Sequence, residues 1–228
     1  MTAPRSILII GASRGLGLGL AGEFAAQGWA VTATVRSAAQ QAPLQALPRV
    51  HVEQLEMTDP DSLAQLAGRL SGQQFDVIFV NAGVAGPDHH STAQATAEEM
   101  GQLFLTNAVA PLRVAERLLP QLAAEHGLIV FMSSILGSIE TGAGLGMPLY
   151  GASKAALNHL VQCFVRTQDN PKLGVVLMHP GWVRTDMGGA DAPLDIDSSC
   201  KGMVRQISAA VGQPGLRYLD FEGNPLPW

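Results

Sequence analysis

The stretch Ser6-Ile7-Leu8-Ile9-Ile10-Gly11-Ala12-Ser13-Arg14-Gly15-Leu16-Gly17 decides the fold. Ser6–Ile10 is a short apolar run of the kind that forms a buried strand. After the glycines, Leu16–Gln27 reads as a helix. Glycine at 11, 15 and 17 allows a tight turn and a close approach of backbone to a bound group. The helix N-terminus adds amide donors and the positive end of a dipole, which suits a pyrophosphate. A tight strand-to-helix turn with no ligand uses the same residues, so the loop alone leaves both readings open.

The alternation continues outward from this unit. Ala30–Val35, Val50–Gln54, Asp76–Val80, Leu128–Met132 and Gly174–Met178 read as further strands. Asp61–Leu70, Glu98–Glu125 and Leu149–Thr167 read as helices, the second of them broken near Asn107–Pro111. Pro60 before Asp61 suits a helix start. Repeated β-α units predict one α/β domain over residues 1–228, a doubly wound parallel sheet of about seven strands with helices on both faces. In such sheets ligands collect beyond the carboxyl ends of the strands.

Composition narrows the class. Of 228 residues only 14% are charged against 47% hydrophobic, so a large core is buried. The net charge of −5 and the lack of a basic run argue against nucleic acid as the main partner. No apolar stretch has membrane-spanning length, and Met1–Arg5 shows no signal-peptide organisation. Cys163 and Cys200 have no metal or disulfide spacing and fit reduced thiols of a cytoplasmic protein. His89-His90 reads as a loop pair, and no metal site is expected.

Tyr150 and Lys154 stand out. The chain has two tyrosines and three lysines. On a helix, residues four apart share a face. A phenol titrates near pKa ~10, and a neighbouring cation favours phenolate and lowers that value. The pair therefore makes a proton donor for a carbonyl or an acceptor for an alcohol. An exposed helix carrying Tyr and Lys by coincidence is the alternative reading of the spacing alone.

Taken together, Gly11-x-x-x-Gly15-x-Gly17, Asn81-Ala82-Gly83, Asn107, Ser134, Tyr150-x-x-x-Lys154 and Pro180-Gly181 occur in one order along the chain. This set closely resembles the short-chain dehydrogenase/reductase family, with its single-domain Rossmann-type fold. His179–Gly189 and the final Asn224-Pro225-Leu226-Pro227-Trp228 resemble its C-factor/sniffer-like carbonyl reductase subgroup.

The resemblance implies roles. Tyr150 would exchange the proton with substrate oxygen, and Ser134 would hold that oxygen, Ser133 pointing elsewhere. Lys154 would lower the phenol pKa and bind the nicotinamide ribose. Asn107 would interrupt its helix and support a water-linked proton path. Gly11, Ser13, Arg14, Gly15, Leu16 and Gly17 would carry the cofactor phosphates. Asn81, Ala82 and Gly83 would floor the adenosine ribose; for Asn81 a plain strand-ending turn is the alternative. Glu56 and Met57 would meet the adenine, and Pro180, Gly181, Val183 and Thr185 the nicotinamide and phosphates. Dimers (or tetramers) would form through the helix after Asn107 and the Tyr150 helix.

The residue after the second strand selects the cofactor. A carboxylate there would bind the ribose 2′-hydroxyl of NAD; this chain has Arg36, whose planar fork suits a 2′-phosphate. Arg14 offers a second cation. NADP(H) is expected over NAD(H). The chain departs from the family pattern at Ile10 (usually Thr), Val80 (usually Asn) and Glu56 (usually Asp). The Ser134–Tyr150 interval is longer than the common form and contains Gly142-Ala143-Gly144-Leu145-Gly146, either a flexible substrate wall or a surface loop. Leu136, Ile139, Leu145, Met147, Trp182 and Met187 are pocket candidates, though core or loop packing would use them equally. Gly188–Ser198 is expected to act as a mobile lid. The activity expected is NADPH-dependent reduction of an aldehyde or ketone; the alternative is a cofactor-binding signalling protein with little turnover.

Overall fold

The first strand, β1 (Ser6–Ile10), lies at the centre of a seven-stranded sheet of order β3-β2-β1-β4-β5-β6-β7, with every neighbouring pair parallel. The computed structural model describes residues 4–228, so the reading of Met1–Ala3 lies outside the described residues. After β1 come α1 (Gly15–Ala26), β2 (Ala30–Val35), the short α2 (Ala42–Gln45), β3 (Val50–Gln54), α3 (Pro60–Arg69) and β4 (Val77–Val80). Then follow α4 (Ala97–Phe104), α5 (Ala110–Leu118), β5 (Leu128–Met132), α6 (Pro148–Arg166), β6 (Gly174–His179), α7 (Ile196–Ala210) and β7 (Gly215–Asp220). Strands β2 and β3 are added on one side of β1, and β4 to β7 on the other. The order therefore reverses between β1 and β4, whose carboxyl ends, Ile10 and Val80, are in register. A parallel sheet opens its ligand crevice at such a reversal.

Both faces of the central strands are buried, which is why those strands read as unbroken apolar runs. Ile7 and Ile9 join a layer with Leu20 and Phe24 of α1 and Met203 and Ile207 of α7. Leu8 and Ile10 join the opposite layer with Leu66 of α3, Val114 of α5 and Leu157 of α6. The period-two alternation of a strand sorts the four side chains between the layers. Helices α1 and α7 lie very close: a Cβ added at Gly19 would stand 2.8 Å from Cys200 Sγ. Asp59 caps α3, accepting from Asp61 N at 3.1 Å and Ser62 N at 3.3 Å, with Pro60 in the first turn as expected.

Three expectations are revised. The helix expected over Glu98–Glu125 is α4, a π-helical turn at Leu105–Val109, and α5, and it ends near Leu118, where Pro120 enters a tight 3-10 turn. Helix α7 and strand β7 lie beyond the elements assigned from sequence. Ser198, Ser199 and Gly202 weaken the helical signal of α7, yet Ser199 and Gly202 are buried in its packing face. The segment expected as a lid, Gly188–Ser198, runs into α7 and is tied at several points. Arg184 N donates to Leu194 O at 2.8 Å, the Arg184 guanidinium binds the carbonyls of Ala192 and Pro193, and Ser198 already lies in α7, capped by Asp195. No helix among the described residues is long and apolar enough to cross a membrane.

Candidate active site

The glycine loop is fixed from behind and bare in front. Gly11 N donates to Thr34 Oγ1 at 3.0 Å, Ala12 N to Thr34 O at 2.8 Å, and Asn81 Nδ2 to Gly11 O at 2.6 Å. A Cβ at Gly17 would fall 2.1 Å from Gly11 O and 2.7 Å from Asn81 Nδ2, so the position accepts no side chain. The Asn81 side chain thus ties the end of β4 to the glycine loop. Helix α1 begins at Gly15 with no acidic residue in its first turn and no side-chain cap from Arg14. Its N-terminal amides are left for an anionic group, so the loop fits a dinucleotide pyrophosphate.

The loop after β6 faces the glycine loop across an open cleft of about 520 Å³, lined by Arg14, Gly15, Thr185, Asp186 and Ile196 among others. Thr185 Oγ1 accepts from Gly188 N at 3.1 Å, which fixes its hydroxyl within that loop. Val183 is buried and bridges to Leu194. Pro180 O accepts from Ser199 Oγ at 2.7 Å, and a Cβ at Gly181 would meet Leu194 at 2.8 Å. Arg14 pairs with Asp186 across the cleft. This guanidinium, expected as a second phosphate cation, must therefore leave a carboxylate to serve as one. Arg36 stands exposed directly after β2. Glu56 Oε1 accepts from Thr58 N at 3.1 Å and Thr58 Oγ1 at 2.8 Å, while the Met57 side chain belongs to the buried core.

Beyond β4 and β5 the four expected catalytic residues come together. Asn107 is fully buried in the π turn, as the expected helix break requires. Its Oδ1 accepts from Val84 N at 2.9 Å; its Nδ2 donates to Val84 O at 2.8 Å and Ser153 Oγ at 3.0 Å. Both Nδ2 protons of Asn107 are used and its Oδ1 holds Val84 N, so the side chain positions the segment around Val84. A Cβ at Gly83 would lie 3.3 Å from Asn107 Oδ1 and 3.4 Å from Lys154 Nζ, so both groups converge on that residue. Lys154 Nζ donates to Met132 O at 2.8 Å and stands 5.6 Å from the Tyr150 ring centroid. Ser133 turns into the core, its hydroxyl donating to Asn158 Oδ1 at 2.6 Å. Ser134 faces the other way and opens a 3-10 turn at Ile135–Gly137, its Oγ accepting from Leu136 N at 3.2 Å.

The electrostatics differ in one respect from the sequence expectation. Burial pushes the Tyr150 phenol up to about 12, with the Ser134 hydroxyl working in the opposite direction. Burial also pushes the Lys154 ammonium down to about 8. Desolvation therefore outweighs the lowering expected for the phenol, and it drives the two proton affinities apart, the phenol upward and the ammonium downward.

Helix α6 begins under strain. Met147, just before it, is left-handed at φ 51, a region costly for a non-glycine residue. The glycine-rich stretch before it is partly locked: a Cβ at Gly142 would fall 2.6 Å from the carbonyl oxygens of Leu136 and Ser138. Leu145, Trp182 and Met187 are 57%, 58% and 45% exposed, and Ile139 is exposed with them. Leu136 and Met147 are half-buried. These side chains are surface groups, not core packing.

A model of the short chain dehydrogenase family matches residues 5–193. The chain belongs to the short-chain dehydrogenase/reductase family. Within that family it is 36% identical over 154 residues to the C-signal protein of Myxococcus xanthus, covering 67% of this chain and 92% of that one. A short-chain dehydrogenase/reductase from Burkholderia multivorans with bound NADP superposes with a TM-score of 0.95 at 42% identity, over 99% of this chain and 100% of that chain. The carbonyl reductase Sniffer of D. melanogaster gives 0.88 at 32% identity, over 99% and 100%. The chain is thus an oxidoreductase-family member of the C-factor/sniffer-like subgroup. Sequence reasoning missed two groups at this family site: Asp186, which holds Arg14, and Tyr218, whose hydroxyl donates to Ser134 O. The scarcity of tyrosine in the chain was the available signal for Tyr218.

Proposed function

We propose that the chain is an NADP(H)-dependent carbonyl reductase, working reversibly on the corresponding alcohol. The observation that carries this reading is the convergence of Ser134, Tyr150 and Lys154 beyond the carboxyl end of β5, on the same edge of the sheet as the glycine loop. The nicotinamide cofactor supplies the hydride when bound. The chain does the rest. Ser134 Oγ accepts from Leu136 N, which leaves its proton to donate to the substrate oxygen. Tyr150 donates the transferred proton to the same oxygen. Lys154 places positive charge beside the phenolate that forms and is the group that would hold the nicotinamide ribose. Asn107 keeps Val84 and the Lys154 surroundings in place, in line with a water-linked proton path to Lys154.

Arg36, exposed after β2, supports NADP(H) over NAD(H), as does the NADP bound to the Burkholderia multivorans relative. The exposed rim of Leu145, Trp182 and Met187 supports an apolar ketone or aldehyde, because the neighbouring Arg184 is already held by the Ala192 and Pro193 carbonyls. The reading also includes a cytoplasmic location and a homodimer. The likeness to C-signal keeps the signalling alternative in view; the complete proton-donor set weighs against it, since a sensor has no use for one.

The test is NADPH oxidation with a panel of aromatic ketones, aldehydes and 2-oxo acids. Wild type is expected to turn over apolar carbonyls, and Tyr150→Phe to bind NADPH normally while losing at least about a hundredfold in kcat. Cofactor binding without turnover of any carbonyl, or near-normal turnover by Tyr150→Phe, refutes the reading.

A further inference from the structure

Ser134 is held from a direction that its sequence neighbours do not predict. Its main-chain oxygen accepts from Gly137 N at 2.8 Å and from the hydroxyl of Tyr218. Tyr218 lies on β7, 84 residues further along the chain, and is only 3% exposed. Its ring packs on that of Trp228 with centroids 5.5 Å apart. The segment after β7 folds back along it: Leu226 N donates to Tyr218 O at 2.8 Å, and Leu219 bridges to Pro225. Asp220 closes the reversal by accepting from Asn224 N at 2.8 Å. Trp228 in turn grips the segment after Ser134. Its main-chain oxygen accepts from Ile139 N at 3.1 Å, Glu140 N at 3.2 Å and Ser138 Oγ at 3.3 Å.

Resting on the reductase reading, we propose that Tyr218 is a positioning residue for Ser134, braced by Trp228. The physical case is geometric. A hydroxyl that must donate to a developing oxyanion works only if its Oγ is fixed to a fraction of an ångström. Both lone-pair directions of the Ser134 carbonyl are occupied, one by its own turn and one by Tyr218. Those bonds restrain the peptide that follows Ser134, and Leu136 N, on the same turn, restrains the Oγ itself. Trp228 fixes the far end of the same turn at Ile139 and Glu140, next to exposed apolar groups of the substrate mouth. One aromatic pair on β7 and the terminal segment thereby sets both the catalytic hydroxyl and the wall beside it.

Two full-length variants separate the two effects. Tyr218→Phe keeps the ring against Trp228 and deletes the hydroxyl that donates to Ser134 O, which also lies beside the Asn158 and Ser133 side chains. It is expected to lower kcat about five- to tenfold with apolar carbonyls, to leave the Kd for NADPH unchanged, and to speed amide exchange of Leu136–Glu140 while helix α1 exchanges as before. Trp228→Ala keeps the Tyr218 hydroxyl but removes the ring that braces it and loosens the wall, so the carbonyl KM should rise several-fold and kcat should fall by less than in Tyr218→Phe. Unchanged kcat together with unchanged exchange over Leu136–Glu140 in Tyr218→Phe overturns the proposal. So does acceleration of exchange spread evenly over the sheet, which marks a general packing role. Amide exchange needs no turnover. A wild-type chain that reduces no carbonyl refutes the reductase reading, and the exchange comparison then decides the Tyr218 anchor separately.

Discussion

Lys154 is a stored cost. Its ammonium is buried and held down to about 8, against 10.5 for the free group. Between those two values the unfolded chain binds the proton and the folded chain does not, so stability rises as pH climbs from about 8 to about 10.5. Below that window the folded state carries the whole penalty of a desolvated charge. Tyr150 acts in the opposite sense, its pushed-up phenol withdrawing stability above pH ~10. Lys154→Met is therefore expected to raise unfolding stability at pH 7 by roughly 1–2 kcal/mol, after the lost bond to Met132 O is set against the gain, while abolishing turnover. Urea midpoints at pH 7 and pH 10 check this: the advantage of the variant should shrink at the higher pH. Arg36 makes a second prediction at this scale. Arg36→Asp should reverse the proposed preference for NADPH over NADH in kcat/KM, and an unaltered ratio counts against Arg36 as the selector.

At the scale of elements, the site is assembled where three kinds of local structure meet: a glycine loop, a π turn and the N-terminal turn of α6. The first and last were legible in the sequence because their residue types are forced. Gly17 is walled in by Gly11 O, and Tyr150 and Lys154 need a helical spacing to share a pocket. The break at Asn107 was legible through Pro111, although the π geometry that places Asn107 against Val84 and Ser153 was not. What escaped was non-local. Nothing around Arg14 announces Asp186, 172 residues on, as its partner, and nothing around Ser134 announces Tyr218. Helix α7 escaped for a different reason, since close approach to α1 selects small residues that also weaken a helical pattern. Helix α6 also carries the small residues Ala152, exposed, and Ala155, half-buried. That surface suits the proposed pairing of α5 and α6 with a second copy. Light scattering at micromolar concentration is expected to give the mass of a dimer, and a monomer alone refutes it.

For the molecule as a whole, acid is the expected weakness. His179 ends β6 half-buried, where desolvation holds the imidazole down to about 4, Asp220 offsetting part of the effect, and its buried Nδ1 has no protein partner. The fold favours the neutral ring. The contribution is complete above pH ~6.5 and drains away as pH falls toward 4, at up to about 1.4 kcal/mol per pH unit. His179→Asn should flatten the fall in urea midpoint between pH 6.5 and 4.5; an unchanged slope rejects the assignment. The contact between α1 and α7 has a consequence of another kind. Cys163 is exposed, whereas Cys200 is 2% exposed with its thiol pushed up to about 12 by burial, facing Leu16 O beneath the helix that carries the glycine loop. One sulfur is open to an alkylating reagent in the native molecule. The other is hidden until the two helices part, so the protein carries its own chemical clock for the loosening of its cofactor-binding half.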